Sequence, residues 1–301
     1  MRKNIGFKIS LILVIILLAT ALLAPVLAPN DPNVTNIMLS EAKPSADYPL
    51  GNDNLGRCML SRVLYGARTS VFSSLFIIAV VFITGTFIGV TAGYFGGAVD
   101  AVLSKLITIM QAFPKIILAI AIAGLLGIGI ENTIIALCMV EWVEYARMAR
   151  SFTFTEKQHS YVKAARICGE SHFKIICGRI IPNIIYPLII NASLGVASMI
   201  MEIAALSYLG VGVKDPMAEW GTMINAGRSY MQTNVRLVII PAVAVFIAAA
   251  VFNFFGEKLR DNIKEEENKY EEKLKSCFSG CIGVCFGVVR MFFRYKRSEC
   301  K

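Results

Sequence analysis

Residues 161–183 read YVKAARICGESHFKIICGRIIPN, a basic and helix-forming stretch that interrupts a hydrophobic chain. Small residues cluster on part of its surface, and Pro182 stands near its end. The sequence on either side consists mostly of apolar runs. A basic segment enclosed by such runs indicates a loop on the positively charged side of a membrane domain.

Composition places the surrounding chain in a membrane. Of 301 residues, 56% are apolar and 17% are charged, and the mean hydropathy is +0.62. Soluble domains carry about 25% charged residues. The net charge of +9 comes without a basic patch interleaved with aromatic residues, so nucleic acid is not an expected partner. Membrane lipid is.

Six segments approach the roughly 20 apolar residues that a spanning helix needs. They are 8–28, 70–93, 103–127, 132–150, 184–209 and 236–256. The sequence therefore predicts an all-α polytopic membrane protein with six transmembrane helices. The first segment also has features of a cleaved signal peptide, but its apolar run continues to Ala28, which favours a retained helix. The fourth turns polar after Val140, and we expect its lower half to project as a continuing helix.

Basic residues orient the predicted chain. Arg2, Lys3 and Lys8 place the N-terminus in the cytoplasm, and six spans then place residues 151–183 and the C-terminus there too. We divide the chain into a first helix with an extracytoplasmic loop (1–69), a five-helix core (70–256) and a charged tail (257–301). The cysteines on the cytoplasmic side are expected to stay reduced.

A glycine stripe marks the second predicted span. Gly85, Gly89 and Gly93 recur at every fourth residue, which lets another helix approach closely. The partner is either a helix of the same subunit or a helix of a second subunit.

The fifth predicted span carries polar residues at membrane depth. Asn191, Ser198 and Glu202 are candidates for a translocation path, because a carboxylate at this depth should face protein or water. The alternatives are a structural hydrogen bond between Glu202 and a neighbouring helix, or a position near the membrane interface.

The chain lacks the residue patterns of an intramembrane enzyme. His159 and His172 have no convergent ligands or carboxylates, so no catalytic residue and no metal site is predicted. Cys277, Cys281 and Cys285 would share one helical stripe, either as small hydrophobic residues or as metal ligands. A phosphate-binding loop is absent from the sequence, so energy for uphill transport must come from a partner or an ion gradient.

The opening stretch resembles the cytoplasmic loop of bacterial binding-protein-dependent ABC importer permeases. That loop has an E-A-A motif, a glycine after three residues, and a later hydrophobic-Pro pair. The matching positions are Lys163, Ala164, Ala165, Arg166, Gly169, Ile181 and Pro182. Lys163 departs from the family glutamate, and we expect Pro182 to end the helix before the fifth span.

Four further segments are similar to the dipeptide/oligopeptide/nickel family and to its C-type subunit. They are LGNDNLGRCMLSRVLYGARTSV (50–71), GVTAGYFGGAVD (89–100), QAFPKIILAI (111–120) and LSYLGVGVKDPMAEWGTMINAGRSYM (206–231). Two departures stand out. Cys58 replaces a usual aspartate, and the tail past about residue 260 has no family counterpart.

The resemblance implies the type I ABC importer permease fold and a noncatalytic subunit that forms a path for di- and oligopeptides. Nickel or a nickel chelate is the alternative substrate, and an ion-coupled secondary carrier is a more distant alternative. The implied partners are a second homologous permease, two ATP-binding subunits and an extracytoplasmic substrate-binding protein. No cofactor is expected on this chain, because the ATPase subunits would bind ATP. Residues 29–69 and 208–235 would face the binding protein.

Overall fold

The structure, a computed structural model that describes residues 2–265, is built from helices. Its only bridge between extended residues in that range joins Asn52 to Cys58. The helices are α1 (Arg2–Leu22), α2 (Ala24–Leu27), α3 (Met59–Phe95), α4 (Gly97–Gln111), α5 (Lys115–Leu126), α6 (Ile130–Glu156), α7 (Ser160–Ile167), α8 (His172–Ile175), α9 (Ile181–Tyr208), α10 (Trp220–Gly227) and α11 (Arg236–Glu265). Two 3₁₀ turns cover Ile37–Leu39 and Arg228–Tyr230.

Within residues 2–265, four helices are long and apolar enough to cross a membrane. They lie at Ile5–Leu22, Met59–Phe95, His172–Tyr208 and Arg236–Glu265, and the bent pair α4–α5 makes a fifth if it is one span. The prediction of an all-α polytopic protein is confirmed. The predicted count of six spans is not, because only four or five segments of residues 2–265 are long and apolar enough to qualify. The predicted span 132–150 lies in α6, whose charged residues, Glu141 and Arg150 among them, make it too polar to qualify.

The predicted span 103–127 is wrong as a continuous helix. It is divided between α4 and α5, whose axes differ by 86°. Pro114 sits at the corner as the N-cap of α5. Proline has no N–H to continue the helical ladder, and it disfavours helical backbone at the preceding residue, Phe113. The corner places Lys115 at the start of α5.

The expected helix end at Pro182 is also wrong, because the helix runs unbroken from His172 to Tyr208. A π-helical turn at Ile176–Ile180 precedes Pro182, which occupies the first turn of α9. Such a turn shifts the backbone hydrogen bonds, and proline is tolerated in a first turn. The chain instead reverses at Gly169, whose φ of +80° favours glycine.

The ends of the other predicted spans also shift. The first span ends at Leu22 and continues as the short α2, which has Pro25 in its first turn. The second extends outward to Met59. The last runs on to Glu265, so the first part of the charged tail is helical. Cys277, Cys281 and Cys285 lie outside the described residues.

The glycine stripe of α3 packs against α6 of the same chain. A Cβ on Gly85 would lie 2.6 Å from Tyr145 Cβ, and one on Gly93 would lie 2.7 Å from the Arg150 carbonyl oxygen. A Cβ on Gly89 would overlap the backbone of Ala146. These glycines let α3 and α6 approach closely, and the pair anchors the helical core.

An ion-pair cluster joins two loops at the N-terminal end of α3. Asp53 Oδ2 accepts a hydrogen bond of 2.6 Å from Arg57 Nε and lies 3.5 Å from Arg62 Nε. Arg57 Nη1 also donates to Asp215 at 3.2 Å. Both arginine side chains are buried. The loop before α3 is thereby fixed to the loop after α9.

Candidate translocation and coupling sites

The helix α7 carries most of the predicted coupling motif and divides it between two faces. Ala165 is buried against its own chain, whereas Lys163, Ala164 and Arg166 are exposed. Gly169 is exposed in the turn that follows. Ala164 and Gly169 are therefore accessible to a partner, and Ala165 is not.

Apolar packing holds α7 against the membrane helices. Val162 and Ala165 join a buried cluster with Tyr94, Ile175 and Ile180. The cluster connects α7 to the end of α3 and to the segment that leads into α9. A displacement of α7 would therefore act on both helices.

Polar contacts add a second connection on the exposed side. The Tyr161 hydroxyl donates to Glu156, whose Oε1 also accepts a 3.0 Å hydrogen bond from Asn183 Nδ2. Burial, followed by the Glu156 carboxylate, raises the pKa of Tyr161 to about 12. The phenol thus stays protonated at neutral pH and can donate. Glu170 and Arg179 form an ion pair of 3.1 Å across the turn.

The last two motif residues lie on α9. Ile181 is half-buried and Pro182 is exposed. Both belong to the helix that continues from the coupling segment into the predicted path. The connection between the two is therefore a continuous helix that does not end at Pro182.

The three predicted path residues lie along one face of α9. Their spacings of seven and four residues place all three within an arc of about 40° around the axis. Asn191 donates to the Pro187 carbonyl oxygen at 2.9 Å, and Ser198 is exposed. Glu202 lies farther along the same face and is largely buried.

Glu202 belongs to a cluster with two charged residues that the sequence did not single out. Lys115 Nζ lies 2.6 Å from Glu202 Oε1 and 3.2 Å from Glu141 Oε1. We call these three residues the charge triad. The glutamate side chains are 12% and 7% exposed, but that of Lys115 is 51% exposed, so the triad opens on the lysine side. The triad carries a net charge of −1 when all three groups are ionised.

The triad joins three helices at the corner between α4 and α5. Lys115 begins α5, Glu141 lies in the middle of α6, and Glu202 lies in the last third of α9. Charges at this depth are costly unless they are paired, and they mark functional positions in membrane proteins. Lys115 and Glu202 each stand alone in an apolar helix, which was a usable signal, whereas Glu141 lies among other charged residues of α6. The pairing of the three was not visible in the sequence.

Comparison with known proteins identifies the family of this chain. Residues 85–264 match the family model of the binding-protein-dependent transport system inner membrane component. The chain belongs to this family. Residues 1–44 match the N-terminal TM domain of oligopeptide transport permease C, which confirms the C-type resemblance. The chain is a membrane-embedded permease subunit of an ABC importer, and such subunits are membrane components rather than catalysts.

Curated relatives cover most of the permease. It is 35% identical over 266 residues to the dipeptide transport system permease protein DppC of Haemophilus influenzae, covering 86% of this chain and 90% of that protein. It is 34% identical over 256 residues to the nickel transport system permease protein NikC of Escherichia coli K12, covering 85% and 92%.

A solved structure of the methionine ABC transporter MetNI, in an inward-facing conformation, shares the fold. Its TM-score is 0.57 at 18% identity, over 67% of this chain and 97% of that chain. The fold prediction is confirmed by this likeness and by the family model.

Proposed function

We propose that this permease forms the translocation path for di- and oligopeptides. The observation that carries the proposal is the 35% identity with a dipeptide permease across 86% of the chain. The polar face of α9 and the charge triad support it, because a zwitterionic peptide needs polar and charged groups along a path through lipid.

Nickel is the second candidate substrate. It is favoured by the nearly equal identity, 34%, with a nickel permease. A hydrated cation or its chelate could also use a path that contains two carboxylates. The two substrates require different uptake measurements.

Deleting the gene for this chain in its native host should separate the two candidates. Uptake of a radiolabelled dipeptide should fall to background and return when the gene is supplied on a plasmid, while ⁶³Ni²⁺ uptake should be unchanged. Lost nickel uptake with intact dipeptide uptake would replace the first candidate with the second.

We further propose that two ATP-binding subunits drive the permease through residues 161–183. A second homologous permease and an extracytoplasmic binding protein complete the assembly, with ATP bound by the ATPase subunits. Support comes from the exposed side of α7 and from its contacts with α3, α6 and α9. An ATPase that displaces α7 would move the helix that carries Glu202.

Two neighbouring alanines provide a test of docking. Ala164→Arg places a large side chain on the accessible face, so it should abolish co-purification of the ATPase and leave the permease folded. Ala165→Arg should instead disturb the buried cluster and lower the thermal unfolding midpoint. The unfolding midpoint and the ATPase yield are measured on the same preparations. Full ATPase association in a folded Ala164→Arg variant would contradict the docking assignment.

A further inference from the structure

A cavity of 220 Å³ lies between α7 and the ends of α3 and α6. Tyr94, Val162 and Ile175 supply part of its wall, and Phe154, which is 57% exposed, also lines it. The cavity is several times larger than the roughly 30 Å³ that a water molecule occupies in the liquid. It can therefore hold a polyatomic group.

Three cationic side chains line this cavity, namely Lys157, Lys163 and Arg166. The remaining lining residues include Gln158 and no carboxylate. Within residues 2–265, none of the three cations forms an ion pair with a carboxylate, and the nearby Asp100 is engaged by Arg150. The residues that line the cavity therefore carry a net positive charge.

The C-terminal end of α3 contacts one of these three cations. The Nζ of Lys157 donates to the Tyr94 carbonyl oxygen in the last turn of α3 and so covers one of the unpaired carbonyls there. The same ammonium lies 5.7 Å from the centre of the Tyr94 ring. Lys157 retains further N–H donors, since an ammonium has three.

The depth of the cavity points to the membrane surface. Tyr94 and Phe95 end the apolar helix α3, and Phe95 is 52% exposed. Aromatic and basic residues at the end of a spanning helix lie at the level of the lipid headgroups. With the proposed orientation, this is the cytoplasmic leaflet, where anionic lipids attract basic segments.

We propose that the cavity binds the phosphate of an anionic phospholipid headgroup, held by Arg166 and the two lysines. A guanidinium can donate two parallel hydrogen bonds to phosphate oxygens, and the ammonium groups add charge. The exposed Phe154 and Phe95 lie where the lipid chains begin. The site also gives a role to the residue that departs from the family motif, since a glutamate in place of Lys163 would bring a carboxylate to the lining.

Native mass spectrometry of the detergent-solubilised full-length permease, with any bound subunits, tests this site. Titration with phosphatidylglycerol, phosphatidylcholine and inorganic phosphate measures the preference for each. We expect phosphatidylglycerol to be favoured over phosphatidylcholine. Lys157→Gln should weaken phosphatidylglycerol binding about 5-fold, the effect of about 1 kcal/mol per basic residue near an anionic surface.

Two variants make the comparison specific. Gln158→Glu brings a carboxylate to the lining at nearly constant size and should also weaken phosphatidylglycerol binding. Lys105→Gln, which removes an exposed charge on α4 outside the cavity, should leave it unchanged. Thermal unfolding of each variant shows that the fold is kept.

Three outcomes would overturn the proposal. One is equal phosphatidylglycerol binding by the Lys157→Gln variant and the parent protein. Another is displacement of bound phosphatidylglycerol by millimolar inorganic phosphate without preference over phosphatidylcholine, which would indicate a soluble anion. The third is loss of ATPase subunits from Lys157→Gln with unchanged lipid binding, which would assign the cavity to an acidic protein group. An inverted orientation is detected separately by cysteine labelling.

Discussion

Within the charge triad, replacing Lys115 should lower the stability of the protein most, because its ammonium pairs with two buried carboxylates. Lys115→Met should lower the free energy of unfolding by about 2 kcal/mol. This is less than the 3–5 kcal/mol lost when a fully buried pair is broken, since Lys115 is half-exposed. The thermal unfolding midpoint in detergent measures the loss.

Neutralising the carboxylates provides the matched test of the triad. The combined variant Lys115→Met, Glu141→Gln, Glu202→Gln leaves no unpaired buried charge, so it should recover much of the lost stability. Lys105→Met, at an exposed position on α4, controls for the loss of a lysine. A Lys115→Met protein as stable as the parent would show that the carboxylates do not depend on this ammonium.

The sequence predicted Glu202 as unusual but not the identity of its partner. An acidic residue in an apolar helix is conspicuous by itself. Its contact with Lys115 joins positions 87 residues apart and depends on the 86° corner before α5. The periodicity of a single helix carries no information on such a contact. The same limit applies to Ala164 and Ala165, whose different burial is set by what α7 packs against.

At the scale of elements, the contact between α3 and α6 depends on glycine. Gly85→Leu would place its Cβ 2.7 Å from the Trp142 carbonyl oxygen, and the helices would have to separate. We expect a loss of about 2–3 kcal/mol, typical of overpacking against backbone. The unfolding midpoint and the yield of folded permease measure it.

Another helical glycine provides the control. A Cβ on Gly124 in α5 meets nothing within 4 Å, so Gly124→Ala should stabilise the permease slightly through helix propensity. A Gly85→Leu variant that unfolds at the parent temperature would show that α3 and α6 tolerate a larger separation.

Two prolines show why the ends of the helices were harder to predict than their positions in the sequence. The apolar runs predicted where helices would form, since burial in lipid requires length and hydrophobicity. Pro114 did break a helix and turned a predicted span into a corner. Pro182 did not, because the preceding π turn accommodates it. Both are prolines in largely apolar surroundings, and the difference lies in hydrogen bonding that the sequence does not display.

At the scale of the whole molecule, one continuous helix joins the proposed docking segment to the proposed path. It starts at His172 beside α7, passes through the π turn and carries Glu202 to the charge triad. Through the ion pairs of the triad, this helix is connected to α5 and α6. Movement of α7 would thus reach the path without a flexible hinge at Pro182, provided that α7 lies on the same side of the membrane as the ATPase.

That sidedness can be measured with single-cysteine variants and a membrane-impermeant maleimide. Cys177 is exposed in the coupling segment, and Met38 is 94% exposed in the loop between α2 and α3. With the other cysteines replaced by serine or alanine, Met38→Cys should label in right-side-out vesicles, whereas Cys177 should label only after permeabilisation. The physical reason is the excess of lysine and arginine around Cys177, which favours retention in the cytoplasm. Labelling of Cys177 in sealed right-side-out vesicles would show that the orientation is the reverse of the one proposed. It would then contradict both the ATPase contact and the lipid site in the inner leaflet.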